Sequence, residues 1–383
     1  MHLPYGVERT LGPVVRLRDR ALPLRRVEHG AFEVFAEPVL NPFLAQGRAA
    51  WHAVRDQLLW FTSDAEAFAA VEPSLVPVDE LELVLPIEVA DYVDFYSSIH
   101  HATNLGRLFR PDGEALLPNW RHIPIGYHGR SGTIVADGAD IPRPSGMRLV
   151  DGEPWCGPTN ALDIELEVGV VVGAPSRRGE PIPIADAEQH LFGLCLVNDW
   201  SARDIQAFEY QPLGPFLGKS FATSMSPWIV TLDALEPFRV EPPVQDPPVA
   251  DHLRTTGATG FDLHLEVELD GEVISRTCFA DMYWTPAQQI AHMTTNGANV
   301  RAGDLFASGT VSGPTPGSEG SLIELTWRGE RPLDLADGTT RSFLLDGDTV
   351  TLRGWAGADP ATRIGLGSVT GTIVSNNHSR EGN

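Results

Sequence analysis

Acidic residues in one strand-like segment could bind a divalent cation. In residues 162–170 (LDIELEVGV), hydrophobic and acidic residues alternate, which is typical of a β-strand because its successive side chains point to opposite faces. Asp163, Glu165 and Glu167 would share one face, with Glu165 and Glu167 roughly 6 to 7 Å apart at their Cα atoms. Carboxylates at this distance repel each other unless a cation bridges them, and ligation by oxygen alone favours Mg²⁺ or Ca²⁺. A half-exposed strand with a polar outer face would produce the same pattern.

A second polar constellation lies in residues 197–210 (VNDWSARDIQAFEY). An apolar run ends at Asp199, which we expect to close a strand and to add a third carboxylate to the acidic pair. Arg203, Gln206 and Tyr210 follow at positions i, i+3 and i+7, so they would share one face of the next helix. A guanidinium, an amide and a phenol on one stripe suit an oxygen-rich substrate, although a solvated helix face would look the same.

Lys219 is the only lysine among the 28 basic residues of the chain. It lies in a turn flanked by Gly and Pro, within residues 211–228, and Thr223 follows four residues later. A lysine in such an apolar loop would be partly desolvated and could stabilise developing negative charge. The glycine spacing before it excludes a phosphate-binding P-loop lysine.

Two further segments, residues 91–113 and 117–130, concentrate side chains suited to acid–base chemistry and anion binding. Histidine is the natural general base near neutral pH because its pKa lies there. Asp94, in the first segment, could be a fourth ligand of the cation. The candidate residues of the two segments are Asp94, Tyr96, His100, His101, Arg110, His122, Tyr127 and His128. The local sequence does not distinguish which of the four histidines would act.

The elements that would position these side chains are mostly β-strands. Alternating segments in residues 133–138, 162–173, 261–273, 321–327 and 348–354, together with the Asp-Gly dipeptides at residues 137–138, 270–271, 337–338 and 346–347, which favour tight hairpins, predict a strand-rich region. Helical pattern is limited to residues 185–197, 201–210 and 285–295, with Ser201 and Asp204 as a candidate capping box. The predicted fold class is α+β, dominated by β-structure rather than by alternating βαβ units.

The chain is interpreted as two domains, residues 1–85 and residues 86–383. The first contains short β-prone stretches and one amphipathic helix, predicted over residues 42–60 from apolar residues at near-helical spacing. A proline-containing acidic stretch, residues 71–89, leads out of this domain as a linker or a boundary strand. The polar tail from residue 375 is expected to fray.

The composition excludes several classes of function. The formal net charge of −23 opposes binding to nucleic acid, which requires clustered Lys and Arg. No apolar run approaches the ~18 residues of a membrane-spanning helix, and the N-terminus lacks the pattern of a secretory signal. The three scattered cysteines form no CxxC pair and no disulfide framework, so the expected location is the reducing cytoplasm. The motifs of dinucleotide, P-loop and α/β-hydrolase sites are absent from the sequence.

Taken together, these segments resemble the fumarylacetoacetase family over nearly the whole chain. The resemblance is carried by the runs DYVDFYSS, HATN, GYHGR, LDIELE, NDWSARDIQ, PLGPFLGKSF and RSFLLDGD. It implies a small SH3-like N-terminal barrel followed by a β-roll catalytic domain that acts as a homodimer. It also implies a metal-dependent hydrolase that cleaves a carbon–carbon bond of the diketo acid 4-fumarylacetoacetate, the last intermediate of tyrosine breakdown, to fumarate and acetoacetate.

The resemblance implies a role for each candidate residue and Mg²⁺, Ca²⁺ or both as cofactor. The metal ligands and their surroundings are implied to be Asp94, Glu165, Glu167, Asp199, Lys219 and Thr223. His101 is implied as the base that activates water, with Glu324 as its partner carboxylate. The residues implied to stabilise the oxyanion are Arg203, Gln206 and Lys219. The implied substrate contacts are Tyr96, Arg110, Tyr127, Gln206, Tyr210 and Thr310.

Two other interpretations fit the sequence. The chain could cleave another acylpyruvate or diketo acid, which a side-by-side comparison of substrates would decide. It could also be a metal-stabilised dimeric binding protein without catalysis. That second interpretation requires the loss of His101, Glu324 or Lys219, and all three are present.

Overall fold

The computed structural model of the protein describes residues 2–28 and 30–376. From residue 377 onward, the tail that was expected to fray lies outside the described residues. Within the described ranges, no helix is both long enough and apolar enough to cross a membrane.

The N-terminal part contains a five-stranded antiparallel sheet, which is the barrel-like sheet expected there. Its spatial order is β4-β3-β2-β1-β5. The strands are β1 (Tyr5–Glu8), β2 (Gly12–Leu17), β3 (Arg20–Pro23), β4 (Val76–Pro77) and β5 (Leu83–Val84). The acidic stretch 71–89 therefore supplies both edge strands of this sheet, as the boundary-strand alternative predicted.

Helices are short and few in the described residues. They are α1 (Asn41–Leu44), α2 (Arg48–Ser63), α3 (Ala65–Val71), α4 (Ile99–Phe109), α5 (Arg203–Glu209), α6 (Leu232–Leu235), α7 (Pro286–Thr294) and α8 (Leu322–Leu325). The single helix predicted over residues 42–60 is wrong, because Gly47 adopts φ +77° and separates α1 from α2. Asp64 then begins α3 by accepting the backbone N–H of Ala67 at 2.8 Å. The apolar stripe of α2 is buried, as predicted.

Two larger sheets form the rest of the molecule. An eight-stranded sheet has the order β7-β6-β22-β13-β14-β16-β8, with β17 also paired to β14, and a five-stranded sheet has the order β21-β20-β25-β26-β9. The strands are β6 (Tyr92–Phe95), β7 (Gly126–His128), β8 (Ile134–Ala136), β9 (Asp140–Pro142), β10 (Ser145–Val150), β11 (Glu153–Pro158), β12 (Leu162–Asp163), β13 (Leu166–Val172), β14 (Leu191–Asp199), β15 (Ser201–Ala202), β16 (Thr223–Met225), β17 (Val230–Thr231), β18 (Arg239–Val240), β19 (Gly260–Phe261), β20 (Leu263–Leu269), β21 (Glu272–Cys278), β22 (Leu305–Ala307), β23 (Leu333–Asp334), β24 (Thr340–Arg341), β25 (Thr349–Ala356) and β26 (Ile364–Val374). The predicted β-dominated α+β class is confirmed.

The central strands β13 and β14 are buried on both faces. Val168 and Val170 pack in the core shared with the five-stranded sheet, whereas Val171 packs in the core shared with the N-terminal helices. The alternative of a half-exposed strand is therefore wrong, because the face that carries Glu167 is covered by the N-terminal part of the chain. Any charged group on this face must find its partners inside the protein.

Two segments differ from the structure predicted from their pattern. Residues 185–197 were expected to be helical, and a 3-10 helix does cover Ile184–His190, but β14 begins at Leu191 because a short apolar run suits a strand buried on both faces. Residues 321–327 were expected to be a strand, but α8 forms there, since the carboxylate of Asp163 accepts two backbone N–H groups of its first turn.

The turn and cap predictions hold in part. Asp270 and Gly271 join β20 to β21 with positive φ angles of 50° and 87°, as expected for a tight hairpin. Residues 137–138 instead connect β8 to β9, which lie in different sheets. The expected capping box at α5 is wrong: Asp204 accepts the backbone N–H of Asn160 at 2.9 Å, and Ser201 Oγ donates to the carbonyl of Asp199.

Candidate active site

Four carboxylates from three segments of the chain meet at the eight-stranded sheet, and we call them the acidic cluster. Asp94 belongs to β6 and Glu167 to β13. Asp199 ends β14, and Glu165 directly precedes β13. The strand pairing brings them together, because β13 pairs with β14 on one side and is joined to β6 through β22 on the other. One oxygen atom from each carboxylate lies within 4.8 Å of the others, and all four residues are buried.

Two oxygen atoms of the acidic cluster have no donor. Asp94 Oδ1 and Glu167 Oε1 are enclosed and accept no hydrogen bond from the described residues. Burial raises the pKa of both carboxyls, and neighbouring carboxylates raise them further, Asp199 acting on Asp94 and Asp94 acting on Glu167. Enclosed oxygen atoms without a partner are costly, and a cation placed among them would remove that cost. This arrangement fits a bound divalent cation.

Lys219 places its ammonium group against the acidic cluster. Its Nζ donates to Glu165 Oε2 at 2.5 Å and to Asp199 Oδ2 at 2.7 Å. Burial alone would lower the pKa of Lys219, but the two carboxylates outweigh burial, so the pKa is raised and the side chain stays charged. Even with the Arg203 guanidinium 2.7 Å from Glu165, two positive charges do not neutralise four carboxylates, which leaves the cluster in need of further positive charge.

Two hydroxyl groups surround Asp199. Thr223 Oγ1 donates to Asp199 Oδ1 at 3.1 Å, and the pairing of β16 with β14 holds it there. Tyr127 Oη, carried by β7, donates to Asp199 Oδ2 at 3.1 Å. The acidic cluster thus offers oxygen atoms alone as ligands, which is the donor set of hard cations such as Mg²⁺ and Ca²⁺.

His101 and Glu324 form a buried pair at the edge of the acidic cluster. His101 lies in the first turn of α4, where Ser98 Oγ accepts its backbone N–H at 3.2 Å. The Nδ1 atom of His101 is 2.6 Å from Glu324 Oε2, and its Nε2 atom is 3.8 Å from Glu165 Oε1. One ring nitrogen is therefore occupied by Glu324, and the other faces the acidic cluster.

The structure separates the four candidate histidines. His101 lines the cavity that reaches Asp94 and Glu165 of the acidic cluster, whereas His100, His122 and His128 are not among its lining residues. Side by side in the sequence, His100 and His101 differ because successive helical residues point about 100° apart. The local sequence pattern does not separate these histidines, whereas the tertiary structure does.

Three further donors hold Glu324 in its ionised form. Asn104 Nδ2 donates to Oε1 at 3.0 Å, and Ser312 Oγ and Ser321 Oγ donate to Oε2 at 2.9 Å and 2.7 Å. Burial would raise the pKa of Glu324, but the neighbouring His101 and the hydrogen bonds to the carboxylate lower it below its ordinary range. The sequence analysis missed these three donors, because polar residues that meet across distant segments leave no local pattern.

Arg203 reaches the acidic cluster from the first turn of α5. Its Nη1 is 2.7 Å from Glu165 Oε1 and 3.2 Å from Gln206 Oε1, and its Nε is 2.7 Å from Asp163 Oδ2. Burial alone would raise the pKa of Glu165, but Lys219 and Arg203 outweigh it and hold that pKa below its usual range. The Nη2 atom of Arg203 is enclosed, with no partner in the described part of the chain.

A cavity of about 420 Å³ joins these groups. The residues named from the sequence as substrate contacts all line it: Tyr96, Arg110, Tyr127, Gln206, Tyr210 and Thr310. Arg110 Nε and Thr310 Oγ1 are enclosed polar atoms that meet no partner among residues 2–28 and 30–376. Leu105, Phe109 and Leu117 add apolar wall. A small ligand with several oxygen atoms fits such a lining.

Asp163 is the one acidic residue of residues 162–170 that does not join the acidic cluster. The expectation that it shares a face with Glu165 and Glu167 is wrong, because β12 ends at Asp163 and β13 begins only at Leu166. The strict alternation of a strand is interrupted between them. Asp163 instead pairs with Arg203 and with the start of α8.

A strand-rich fold encloses a carboxylate cluster that could hold a divalent cation, beside a buried histidine–glutamate pair, and this arrangement is suited to activating water. A family model described as the C-terminal domain of fumarylacetoacetate hydrolase matches residues 92–374, and one described as the N-terminal domain of fumarylacetoacetase matches residues 1–86. The chain belongs to the fumarylacetoacetate hydrolase family.

Relatives with assigned names cover almost the whole chain. The fumarylacetoacetase of Arabidopsis thaliana is 46% identical over 97% of this chain and 94% of its own length. The fumarylacetoacetase of Homo sapiens is 45% identical over 97% of this chain and 95% of its own length. These relatives share both halves of the molecule with this chain.

Solved structures share the fold at low sequence identity. A fumarylacetoacetate hydrolase from Exiguobacterium antarcticum matches with a TM-score of 0.57 and 16% identity, covering 98% of this chain and 100% of that chain. A 2-hydroxyhepta-2,4-diene-1,7-dioate isomerase from Mycobacterium marinum matches with a TM-score of 0.52 and 17% identity, covering 98% of this chain and 99% of that chain. At this identity, the likeness establishes the fold alone.

Proposed function

We propose that the chain hydrolyses the carbon–carbon bond that joins the fumaryl and acetoacetyl parts of 4-fumarylacetoacetate. The observation that carries this proposal is the His101–Glu324 pair, whose free ring nitrogen faces the acidic cluster across 3.8 Å. The names of relatives at 45% and 46% identity, which match over 97% of the chain, support the choice of substrate.

Water activation is assigned to His101. Glu324 accepts the proton of Nδ1, so Nε2 presents a lone pair that can take a proton from water. The resulting hydroxide forms a bond to the carbonyl carbon next to the fumaryl chain. Glu324 stabilises the imidazolium that His101 becomes, because its lowered pKa keeps it charged beside the ring.

The negative charge that develops on the carbonyl oxygen needs positive groups nearby. Lys219, Arg203 and Gln206 line the cavity, and the first two are charged. The carbon–carbon bond then breaks, and its electron pair stays on the acetoacetate fragment as an enolate. His101 returns its proton to that carbon, so fumarate and acetoacetate leave and one water molecule has been consumed.

The acidic cluster is proposed to hold Mg²⁺ or Ca²⁺ through Asp94, Glu165, Glu167 and Asp199. When bound, such a cation supplies Lewis acidity toward the two ketone oxygens of the diketo acid. Two observations on the described residues support a hard cation. One oxygen of Asp94 and one of Glu167 have no hydrogen-bond partner, and the cluster offers no nitrogen or sulfur ligand. Lys219 and Thr223 position Asp199 for this role.

Substrate contacts are assigned to the remaining lining residues. Arg110 carries the positive charge that a terminal carboxylate of the substrate requires, and its Nε is unpartnered within the described ranges. Tyr96, Tyr127, Tyr210 and Thr310 offer hydroxyl groups to the other oxygen atoms.

The chain is further proposed to be a cytoplasmic homodimer of two domains, residues 1–85 and 86–383. All three cysteines lie in the described part and are free thiols, which suits a reducing compartment. Hairpin β10–β11 exposes Met147 and Leu149 on one face and Val150 and Trp155 on the other, and we propose that a second copy covers part of this apolar surface. The family models, which match residues 1–86 and 92–374, support the division into domains. Light scattering coupled to size exclusion tests the oligomeric state.

The deciding experiment measures loss of the ultraviolet absorbance of fumarylacetoacetate with and without a chelator. We expect turnover with Mg²⁺ or Ca²⁺ and its loss after chelation. Other acylpyruvates and diketo acids are compared side by side, and a higher kcat/KM for one of them would replace the proposed substrate. Cation binding without turnover of any of these compounds would favour a non-catalytic binding protein.

A further inference from the structure

Asp163 contacts two separate parts of the candidate site without lining its cavity. The residue is fully buried, and it belongs neither to the acidic cluster nor to the cavity wall. Its Oδ2 accepts Arg203 Nε at 2.7 Å and the backbone N–H of Ile323 at 3.1 Å. Its Oδ1 accepts the backbone N–H of Leu322 at 2.7 Å. One carboxylate therefore bridges α5 and α8.

On the α8 side, these contacts set the position of Glu324. Leu322 and Ile323 are the first two residues of α8, and Glu324 is the third. Ser321, at the cap position, donates its hydroxyl to Glu324 and accepts no N–H of this helix in the described structure. Asp163 takes over the acceptor role of a cap from a distant strand. The start of α8, and with it Glu324, is thereby tied to β12.

On the α5 side, Asp163 sets the orientation of Arg203. Asp163 holds Nε while Glu165 holds Nη1 at 2.7 Å, so two edges of the planar guanidinium are fixed. The Nη2 group is left enclosed and, within the described residues, unpartnered. Arg203 lines the cavity, where the proposed hydrolysis develops negative charge.

We propose that Asp163 is a positioning residue that holds Arg203 and Glu324 at a fixed distance from each other during turnover. This inference rests on the proposed hydrolase function. Groups that act on opposite ends of one reacting centre must be held within fractions of an ångström, and a shared buried anchor achieves this. Since Asp163 touches neither the cavity nor the acidic cluster, it should affect kcat far more than KM or cation content.

The test is the substitution Asp163→Asn, which keeps the shape and replaces one acceptor oxygen by a donor. We expect kcat to fall about 10-fold to 100-fold, the loss typical when a residue that supports catalytic groups is changed. KM should stay within about threefold of wild type, because binding contacts are untouched. Cation content, measured on the same samples, should equal that of wild type.

Asp348→Asn is the matched control. Like Asp163, Asp348 is a buried aspartate that pairs with an arginine, here Arg341. Its carboxylate also accepts the backbone N–H of Leu345 at 2.7 Å. It does not line the cavity. This control should lower the melting temperature and leave kcat unchanged. A kcat loss in Asp348→Asn equal to that in Asp163→Asn would overturn the proposal, because any buried Asp–Arg pair would then have the same effect.

A double-mutant cycle separates positioning from general loosening of the fold. In an Arg203→Ala or a Glu324→Gln background, Asp163→Asn should cost a smaller factor in kcat than in wild type, since one of the groups it positions is already lost. Equal factors in all backgrounds would reject the proposal. If Asp163→Asn does not fold, Asp163→Ser is measured in the same cycle. Failure of both to fold would also reject it, because Asp163 would then serve the fold.

Wild-type turnover of fumarylacetoacetate is measured first, so that the two proposals can fail separately. An inactive wild type rejects the proposed function. An active wild type with unchanged kcat in Asp163→Asn rejects the positioning role and leaves the proposed function standing.

Discussion

Replacing Glu324 by glutamine tests the proposed base most directly. The change keeps the size of the side chain and removes the negative charge beside His101 Nδ1, which lies 2.6 Å from Glu324 Oε2. When His101 holds a proton during turnover, that charge is worth about 4 kcal/mol, for charge centres about 4 Å apart at an effective dielectric constant of about 20. At about 1.36 kcal/mol per tenfold change, kcat should fall about 10³-fold.

The assay follows the ultraviolet absorbance of fumarylacetoacetate at saturating substrate. Cation content should stay at the wild-type level, because Glu324 lies outside the acidic cluster. Glu188→Gln is the matched control: Glu188 pairs with Arg239 at 2.7 Å, away from the cavity, and its loss should leave kcat unchanged. A Glu324→Gln enzyme that kept more than about a tenth of the wild-type kcat would refute the reasoning. The negative charge of Glu324 would then lower the activation free energy by less than about 1.4 kcal/mol.

Three further predictions concern the base and the cation site. His101→Ala should bind the cation but lose turnover, whereas His100→Ala should retain turnover. The opposite result in the absorbance assay would show that His100, and not His101, is the base. Glu167→Gln should lower cation content, measured by elemental analysis, because Glu167 Oε1 is enclosed with no donor among the described residues; an unchanged content would exclude Glu167 as a ligand. Burial and neighbouring carboxylates raise the pKa values of Asp94 and Glu167. Above about pH 4 to 5, these two groups therefore keep their protons in the cation-free folded state but have lost them in the unfolded state. The melting temperature of the cation-free protein should accordingly fall as the pH rises above this range. Added Mg²⁺ should reverse this fall, and a pH slope that is unchanged in Glu167→Gln would contradict the assignment.

The sequence analysis predicted the secondary structure best where the hydrophobic period was long and unambiguous. The hairpin β20–β21 and helix α7 match their patterns, and Thr285 and Gln288 form a capping box at the start of α7. Residues 191–197 and 321–327 were mispredicted, because short apolar runs fit both a strand and a helix. Their structure depends on contacts with distant segments, such as the carboxylate of Asp163 at the start of α8.

The residue types of the candidate site were also readable in part. The carboxylates and the single lysine stood out by type and spacing, and the resemblance to a family selected His101 and Glu324 among several candidates. Asn104, Ser312 and Ser321, which hold Glu324, carried no local signal. Such donors are defined by the acceptor they meet in space, and common polar residues are not distinctive in a sequence.

By itself, the sequence determined the chemistry available to this protein: an excess of oxygen ligands, one lysine and several candidate bases. It also determined a β-dominated fold, since strand and turn patterns are local. Tertiary structure alone decided which of these groups share a site, because strand pairing sets their distances and burial sets their pKa values. It placed Glu165 and Glu167 in the acidic cluster and turned Asp163 of the same segment toward Arg203. Two residues between β12 and β13 interrupt the alternation, and no periodic pattern marks such a break.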